Sequence, residues 1–324
     1  MTGPDLGTVR IGTRASLLAR TQTQTVADAL AAAGATVEIV HVATDGDATQ
    51  AANIPLAGSG VGVFTSALRE ALLDGRIDVA VHSYKDLPTA GLSGVVLAAV
   101  PERADPRDVL VARDQMVLGE LPPGSVIGTG SPRRTAQLNA LGLGLEVVGI
   151  RGNVETRIRK VTDGEVDGVI LARAGLARIG RAGEATEVLD PLQMLPAPSQ
   201  GALAVECRAA DTDLETFLRS TLHDESTFTA VSAERAVLQE LGSPCSAPIG
   251  ALADIVEDLD DDGRIVERLS LRAFATTAEG APVRNSATGE TKDAEQIGRS
   301  LAAELLADGA EPRGALGAVS PPTQ

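Results

Sequence analysis

The chain has 324 residues, a formal net charge of −16, 44% hydrophobic residues and only 2% aromatics, with no tryptophan. That balance excludes a sequence-independent grip on phosphate backbones and leaves almost no aromatic platform for stacking bases, so no nucleic-acid partner is expected. Two cysteines are too few for a disulfide framework, and no apolar run reaches a membrane span or forms an Arg/Lys-flanked leader; the expectation is a soluble, cytoplasmic protein of two or three domains, its cores built from Val, Leu, Ile and Ala.

In chain order, Val9–Thr13 reads as a strand, Arg14-Ala15-Ser16 as a turn, Leu17–Ala33 as a helix closed by Gly34, and Val37–Val42 as a second strand. This β-α-β order implies a parallel sheet with a right-handed crossover. Arg14 and Ser16 fall at the strand-to-helix turn, where helix N–H groups favour anions. Gly58-Ser59-Gly60-Val61-Gly62 is glycine-rich but lacks the Lys-Ser/Thr of a phosphate-binding loop, and it reads as a flexible loop before a helix at Val63–Leu73. The stretch from Ile77 to Thr89 is central. Its apolar first half is a buried strand, and His82-Ser83-Tyr84-Lys85-Asp86 then follows the strand's carboxyl end, where open α/β sheets bind ligands. Val95–Val100 is strand again, and Pro101–Asp108 reads as a crossing between domains.

A second α/β unit follows. Ser125–Thr129 is a strand; Ser131 is an N-cap and Pro132 the first residue of a helix carrying Arg133 and Arg134. Leu145–Ile150 is a strand that leads into Arg151, and Asn153 caps a helix carrying Arg157. Val169–Ala172 is a strand followed by Arg173 and Arg178. Three successive strand ends thus deliver arginine to one sheet edge, and the guanidinium fork suits carboxylates and phosphates. Ala197–Gly201, with Gln200, is a turn-rich second crossing, and Ala202–Cys207 an apolar strand that makes Cys207 a core residue. Helices are expected from Asp211 and from Ser226 to Leu241. Cys245 then stands in a Gly/Pro loop without the partners of a zinc site. Ala251–Thr277 reads as a hairpin or meander turning at Asp260–Gly263, Asp293–Asp308 as a helix, and Gly314–Gln324 as a disordered tail.

Taken in order, Ile11-Gly12-Thr13-Arg14-Ala15-Ser16, Val79 to Asp86, Glu102 to Asp108, Gly128 to Arg134, Arg151-Gly152-Asn153-Val154, Ser199-Gln200-Gly201-Ala202 and the cysteine loop before Pro248-Ile249-Gly250 resemble the porphobilinogen deaminase (hydroxymethylbilane synthase) family over essentially the whole chain. The resemblance implies an α/β protein with two periplasmic-binding-protein-like lobes and a small α+β C-terminal domain. On this chain that gives residues 1–101 with 198–220, then 102–197, then 221–313, and a tail at 314–324. It implies a monomeric transferase of tetrapyrrole (haem, chlorophyll or cobalamin-type) biosynthesis, with no membrane partner and no metal. Such an enzyme condenses four porphobilinogen molecules head to tail, releases ammonia at each step, and frees a linear hydroxymethylbilane by hydrolysis. Its covalent dipyrromethane primer maps by thioether onto Cys245, and its catalytic aspartate onto Asp86. Its acid-binding arginines match Arg14, Arg133, Arg134, Arg151, Arg157 and Arg178, and its other cofactor or substrate contacts match Ser16, Ser83, Lys85, Thr129, Ser131 and Gln200.

The chain departs from the family at Gly58–Gly62, where other members often carry lysines, and in the Pro244 and Ser246 that flank Cys245. The competing reading is a non-catalytic two-lobed protein closing on a carboxylated ligand. It accounts for the arginines but not for a third domain or a loop cysteine. A nucleotide-handling enzyme is disfavoured by the missing phosphate loop.

Overall fold

The computed structural model describes residues 6–43, 62–242, 247–260 and 262–312. Three sheets organise them. The first holds β1 (Thr8–Thr13), β2 (Thr36–His41), β3 (Val79–Ser83), β4 (Val95–Ala99) and β10 (Leu203–Arg208) in the order β2-β1-β3-β10-β4. The second holds β5 (Asp108–Ala112), β6 (Val126–Thr129), β7 (Glu146–Gly149), β8 (Gly168–Ala172) and β9 (Glu187–Val188) in the order β7-β6-β8-β5-β9. The third is an antiparallel meander of β11 (Gly250–Leu259), β12 (Ile265–Thr276) and β13 (Pro282–Glu290).

The two larger sheets share one plan. Three strands run parallel, β2-β1-β3 in one lobe and β7-β6-β8 in the other, and the fourth position is taken by an antiparallel strand. In each lobe that strand is the one arriving directly from a crossing, β10 in the first and β5 in the second. The ligand-binding edges of both parallel triplets therefore face the segments that join the lobes.

Local chemistry sets the element boundaries. Helix α1 (Leu17–Ala32) starts where Ser16 Oγ accepts from Ala19 N at 3.3 Å and stops before Gly34, whose φ is +95°. It buries Val26, Ala27 and Leu30 against Val9, Ile11, Val79 and Val205. Helix α2 spans Gly62–Leu73, so the predicted flexible loop lies outside the described residues except for Gly62, which opens this helix. Helix α3 (Pro132–Ala140) has proline in its first turn, but Ser131 makes no side-chain cap; its N–H is held instead by Thr129 Oγ1 at 3.2 Å. Asn153 does cap α4 (Val154–Thr162), accepting from Thr156 N at 2.8 Å. A short α5 (Arg173–Arg178) follows β8, α6 spans Thr212–Leu222, and α7 (Glu225–Glu240) is capped by Asp224, whose Oδ1 accepts from Thr227 N at 2.7 Å. Helix α8 (Ala294–Ala307) pairs with α7 over the meander, around Val237, Leu269, Leu271, Leu301 and Leu305.

One local expectation is corrected. His82 and Ser83 belong to β3 rather than to a following loop, because both pair with the neighbouring antiparallel β10, Ser83 opposite Leu203 and His82 opposite Ala204; the His82 ring also lies 3.2 Å from the Glu206 carboxylate. The C-terminal sheet also contains β13, a strand not anticipated from the sequence, with Arg284, Ser286 and Thr288 alternating along it. The tail at 314–324 lies outside the described residues. Among those described, no helix is long and apolar enough to cross a membrane, and no cluster of His, Cys, Asp and Glu could hold a metal ion.

The crossings touch where Ala104 N donates to Gly201 O at 3.3 Å. Gly201 has φ +91°, and a Cβ there would lie 2.3 Å from Ala104 O, so only glycine fits. Both crossings are fastened to α7. The Glu234 carboxylate, 0% exposed, accepts from Arg103 Nη1 (2.6 Å) and Nη2 (3.0 Å) on the first crossing, from Ser199 N (2.6 Å) on the second, and from Ala253 N (2.9 Å) on β11. Arg284 of β13 reaches the second lobe, donating to Gln137 Oε1 on α3 at 3.1 Å.

Candidate functional site

Strand β3 ends at Ser83 and passes into a single 3-10 turn, Tyr84–Asp86. Across the cleft, β6 ends at Thr129 before α3, and β8 ends at Ala172 before α5. These ends and the second crossing enclose a cavity lined by Ser83, Lys85, Arg134, Arg157, Arg178 and Gln200, with Leu18 and Gln22 of α1 and Gly175 of α5. A second cavity beside it is lined by Lys85, Ser131, Arg133, Pro198, Leu238, Ala247 and Ile249. The structure thus brings together eight of the residues singled out by sequence: Ser83, Lys85, Ser131, Arg133, Arg134, Arg157, Arg178 and Gln200. Arg14, Ser16, Asp86, Thr129 and Arg151 line neither cavity. Asp86 is half-buried beside Lys85, Arg14 is half-buried at the end of β1, Arg151 is exposed, and Thr129 is buried. Cys245 lies outside the described residues.

A hydrogen-bond chain runs across the cleft. Lys85 Nζ donates to Gln200 Oε1 (3.1 Å), while Gln200 Nε2 donates to Pro106 O (2.7 Å) and Asp108 Oδ1 (2.8 Å). Asp108, fully buried at the start of β5, pairs with Arg133 Nη2 and Arg134 Nη2, each at 2.8 Å. Burial works against the charge on Asp108, but the two guanidiniums outweigh it and hold the carboxyl far below its usual range. Arg133 and Arg134 also donate to Leu195 O (2.6 Å) and Ile170 O (2.8 Å). Both arginines are therefore largely committed to the protein. One carboxylate offsets two cations, which leaves the cluster one positive charge.

Arg157 and Arg178 differ. Each donates to a backbone carbonyl, Arg157 Nε to Gly152 O at 2.8 Å and Arg178 Nη2 to Gly201 O at 2.7 Å. Neither pairs with a carboxylate among the described residues. Burial pushes Arg157 down to about 10, with Arg134 adding to the effect, and burial alone lowers Arg178. Lys85 is pushed down to about 8 by burial, with Asp86 opposing the shift. Buried cations short of counter-charge favour an incoming anion.

The donor set fits a dipyrromethane. Each of its pyrrole rings carries two carboxylate arms, and Arg157, Arg178 and Lys85 offer cationic donors, while the buried Nε atoms of Arg133 and Arg134 have no hydrogen-bond acceptor among the described residues.

Residues 9–216 match the family description "Porphobilinogen deaminase, dipyromethane cofactor binding domain", and residues 228–307 match "Porphobilinogen deaminase, C-terminal domain". The chain belongs to the porphobilinogen deaminase family. Membership makes it a transferase with a dipyrromethane cofactor and sets aside the non-catalytic binding protein. Among similar relatives, the porphobilinogen deaminase of Nocardia farcinica is 57% identical over 97% of this chain and 93% of its own. That of Mycobacterium tuberculosis is 56% identical over 93% of this chain and 97% of its own. Among solved structures, the methionine binding protein MetQ aligns with a TM-score of 0.41 at 14% identity, over 66% of this chain and 89% of its own.

Sequence reading missed several residues that build the deaminase cleft. Gln22 donates through Nε2 to Ser83 Oγ at 2.8 Å. Its signal was a polar residue on the helix face shared with Val26 and Leu30. Asp108 was read as part of a polar crossing, although it directly precedes the apolar run Val109-Leu110-Val111. Glu234 and Arg103 gave no sequence signal beyond helix polarity and the matched crossing.

Proposed function

We propose that the chain is a hydroxymethylbilane synthase in which Asp86 is the catalytic carboxylate and Cys245 the point of cofactor attachment. The observation that carries the reading is the cleft itself. Strand ends from both lobes surround Arg157 and Arg178, buried cations with no carboxylate partner among the described residues, and the Lys85-Asp86 turn stands at its edge. When bound, the dipyrromethane would supply the free pyrrole carbon to which the first porphobilinogen unit is joined, each later unit joining the ring added before it.

The chain's own groups do the rest. Arg157 and Arg178 bind acetate and propionate arms through their guanidinium N–H groups, which relieves their burial without a counter-charge. Lys85, oriented by Gln200 Oε1, offers a further cation to an arm. Arg133 and Arg134, tied to Asp108, present a rigid single charge rather than two free forks. As ammonia leaves the protonated aminomethyl group, positive charge develops on the substrate's methylene and ring, and the Asp86 carboxylate offsets it. When the new carbon–carbon bond forms, the proton released is that of the attacking pyrrole carbon, and Asp86 is the carboxylate proposed to accept it. Ala247, two positions along the chain from Cys245, lines the second cavity with Lys85, Ser131 and Arg133, which supports a cofactor lying there. Arg14, Ser16, Thr129 and Arg151 complete the anion-binding rim in this reading.

The sheets support a division into 1–101 with 198–220, 102–197 and 221–313. We read the chain as a cytoplasmic monomer without a membrane partner, and the acidic net charge of −16 supports the expectation of no nucleic-acid partner.

Asp86→Asn tests the core of the reading. Porphobilinogen turnover should fall at least ~10²-fold, the scale of losing one preorganised electrostatic group, with an unchanged melting temperature. Near-normal turnover removes Asp86 from the mechanism. Intact mass tests attachment: wild type and Cys207→Ser should carry two extra pyrrole units, and Cys245→Ser none.

A further inference from the structure

Helix α7 presents Glu234 and Arg235 in succession, and Arg235 reaches the turn that carries Asp86. Arg235 Nη1 donates to Tyr84 O (3.3 Å) and Leu87 O (3.1 Å), and Nη2 donates to Pro88 O (2.7 Å). The guanidinium carbon stands 4.4 Å over the Tyr84 ring. Lys85 and Asp86 sit between the carbonyls so gripped. The segment Tyr84–Asp86 is one 3-10 turn with a single closing bond, Leu87 N to Tyr84 O at 3.1 Å. So short a turn does not hold itself, and its last carbonyls have no partner within it. Its flanks, Tyr84 and Leu87, are buried and cluster with Val231 and Phe228, also of α7.

We infer that Arg235 is a positioning residue for Asp86, fixing through three backbone carbonyls where the carboxylate stands. The C-terminal domain then takes part in the chemistry through a non-covalent clamp as well as through its cysteine. The inference rests on the role proposed for Asp86.

A planar fork that also stacks on Tyr84 is not replaced by lysine, whose ammonium is a point charge on a flexible stem. Arg235→Gln and Arg235→Lys should therefore lower kcat by roughly 10- to 10²-fold, the range expected of about 1 Å of misplacement, with KM for porphobilinogen within about twofold of wild type. Intact mass should show the cofactor still attached in both. The decisive readout is a double-mutant cycle with Asp86→Asn. If Arg235 acts through Asp86, adding Arg235→Gln to Asp86→Asn should cost less than about threefold further in residual turnover. Loss of the full single-variant factor again in that background overturns the inference, as does a raised KM with unchanged kcat. If Arg235→Gln does not accumulate as folded protein, the same cycle run with Arg235→Lys decides. Failure of the underlying reading is separately visible, since Asp86→Asn alone would then turn over normally.

Discussion

Lys85 of the first lobe and Gln200 of the second crossing are joined by a 3.1 Å hydrogen bond whose direction is fixed. Gln200 Nε2 already donates to Pro106 O and Asp108 Oδ1, so its Oε1 is the atom left to accept from the ammonium. Lys85 is thus held as a cation in a place where burial lowers its pKa from 10.5 to about 8.

The pH dependence follows. As pH rises through about 8, Lys85 in the folded enzyme loses its proton and the cleft loses a cation, so kcat/KM should fall on the alkaline side. Lys85→Arg should move that limb to higher pH. Stability runs the other way: between about 8 and 10.5 the unfolded chain holds more protons at this residue than the folded one, so its contribution to stability rises with pH there. An alkaline limb unchanged in Lys85→Arg would show that Lys85 does not set it.

Acid should unfold the protein through three carboxylates. Asp78 and Glu206 are each held at about 2 despite burial, Asp78 by Arg10 and Arg208 and Glu206 by Arg69 and His82, and Asp108 is lowered as well. Folded values below unfolded ones mean stability that is present above about pH 4 and lost as pH falls toward 2. Urea midpoints measured between pH 5 and 2.5 should drop steadily, and Asp108→Asn should already be destabilised by about 3–5 kcal/mol at neutral pH because two buried guanidiniums lose their counter-charge. A flat urea profile would contradict this account.

Glu234→Gln should be as damaging. It removes the charge that receives Arg103 and weakens the acceptor set for Ser199 N and Ala253 N, all in a site with no exposure. A loss of about 3–5 kcal/mol is expected from breaking one side of such a pair, and less from replacing both Arg103 and Glu234 by leucine. Thermal unfolding of the two singles and the double measures it; a double variant less stable than either single would count against a purely electrostatic account.

Cys207 should be inert. It is fully buried in the first lobe, and burial pushes its thiol up to about 12. Iodoacetamide at pH 8 should leave it unmodified in the native protein and alkylate it in denaturant. Modification at equal rates in both conditions would show that the first lobe opens readily.

The sequence revealed much of the scaffold because its signals are local. Ser16 and Gly34 bracket α1, Pro132 opens α3, and apolar runs such as Val109-Leu110-Val111 mark strands buried on both faces. What it hid depends on partners far along the chain. Arg133 and Arg134 read as open anion ligands because their counter-ion, Asp108, precedes Arg134 by 26 positions. Strand β3 looks shorter in the sequence than it is because His82 is polar; its backbone pairing with Ala204, 122 positions along the chain, is what makes it a strand residue, and Glu206 gives its buried ring a polar neighbour. Strand β13 was missed because one of its faces is solvated, and its Arg-Asn-Ser-Ala-Thr-Gly run carries little apolar alternation.

The placement of β10 governs the order in which the polypeptide can complete itself during synthesis. Every strand of the second sheet lies between Asp108 and Val188, so that sheet has all its strands once residue 188 has emerged. The first sheet does not: among the described residues β4 pairs with β10 alone, and one side of β3 is covered by the same strand. Until Leu203–Arg208 arrives, the earlier half of the chain carries an open strand edge and a stranded neighbour, a state prone to wrong pairing. A nascent fragment stopped before Leu203 should therefore be aggregation-prone in its N-terminal portion, whereas the middle of the polypeptide, made later, is the first to possess a whole sheet.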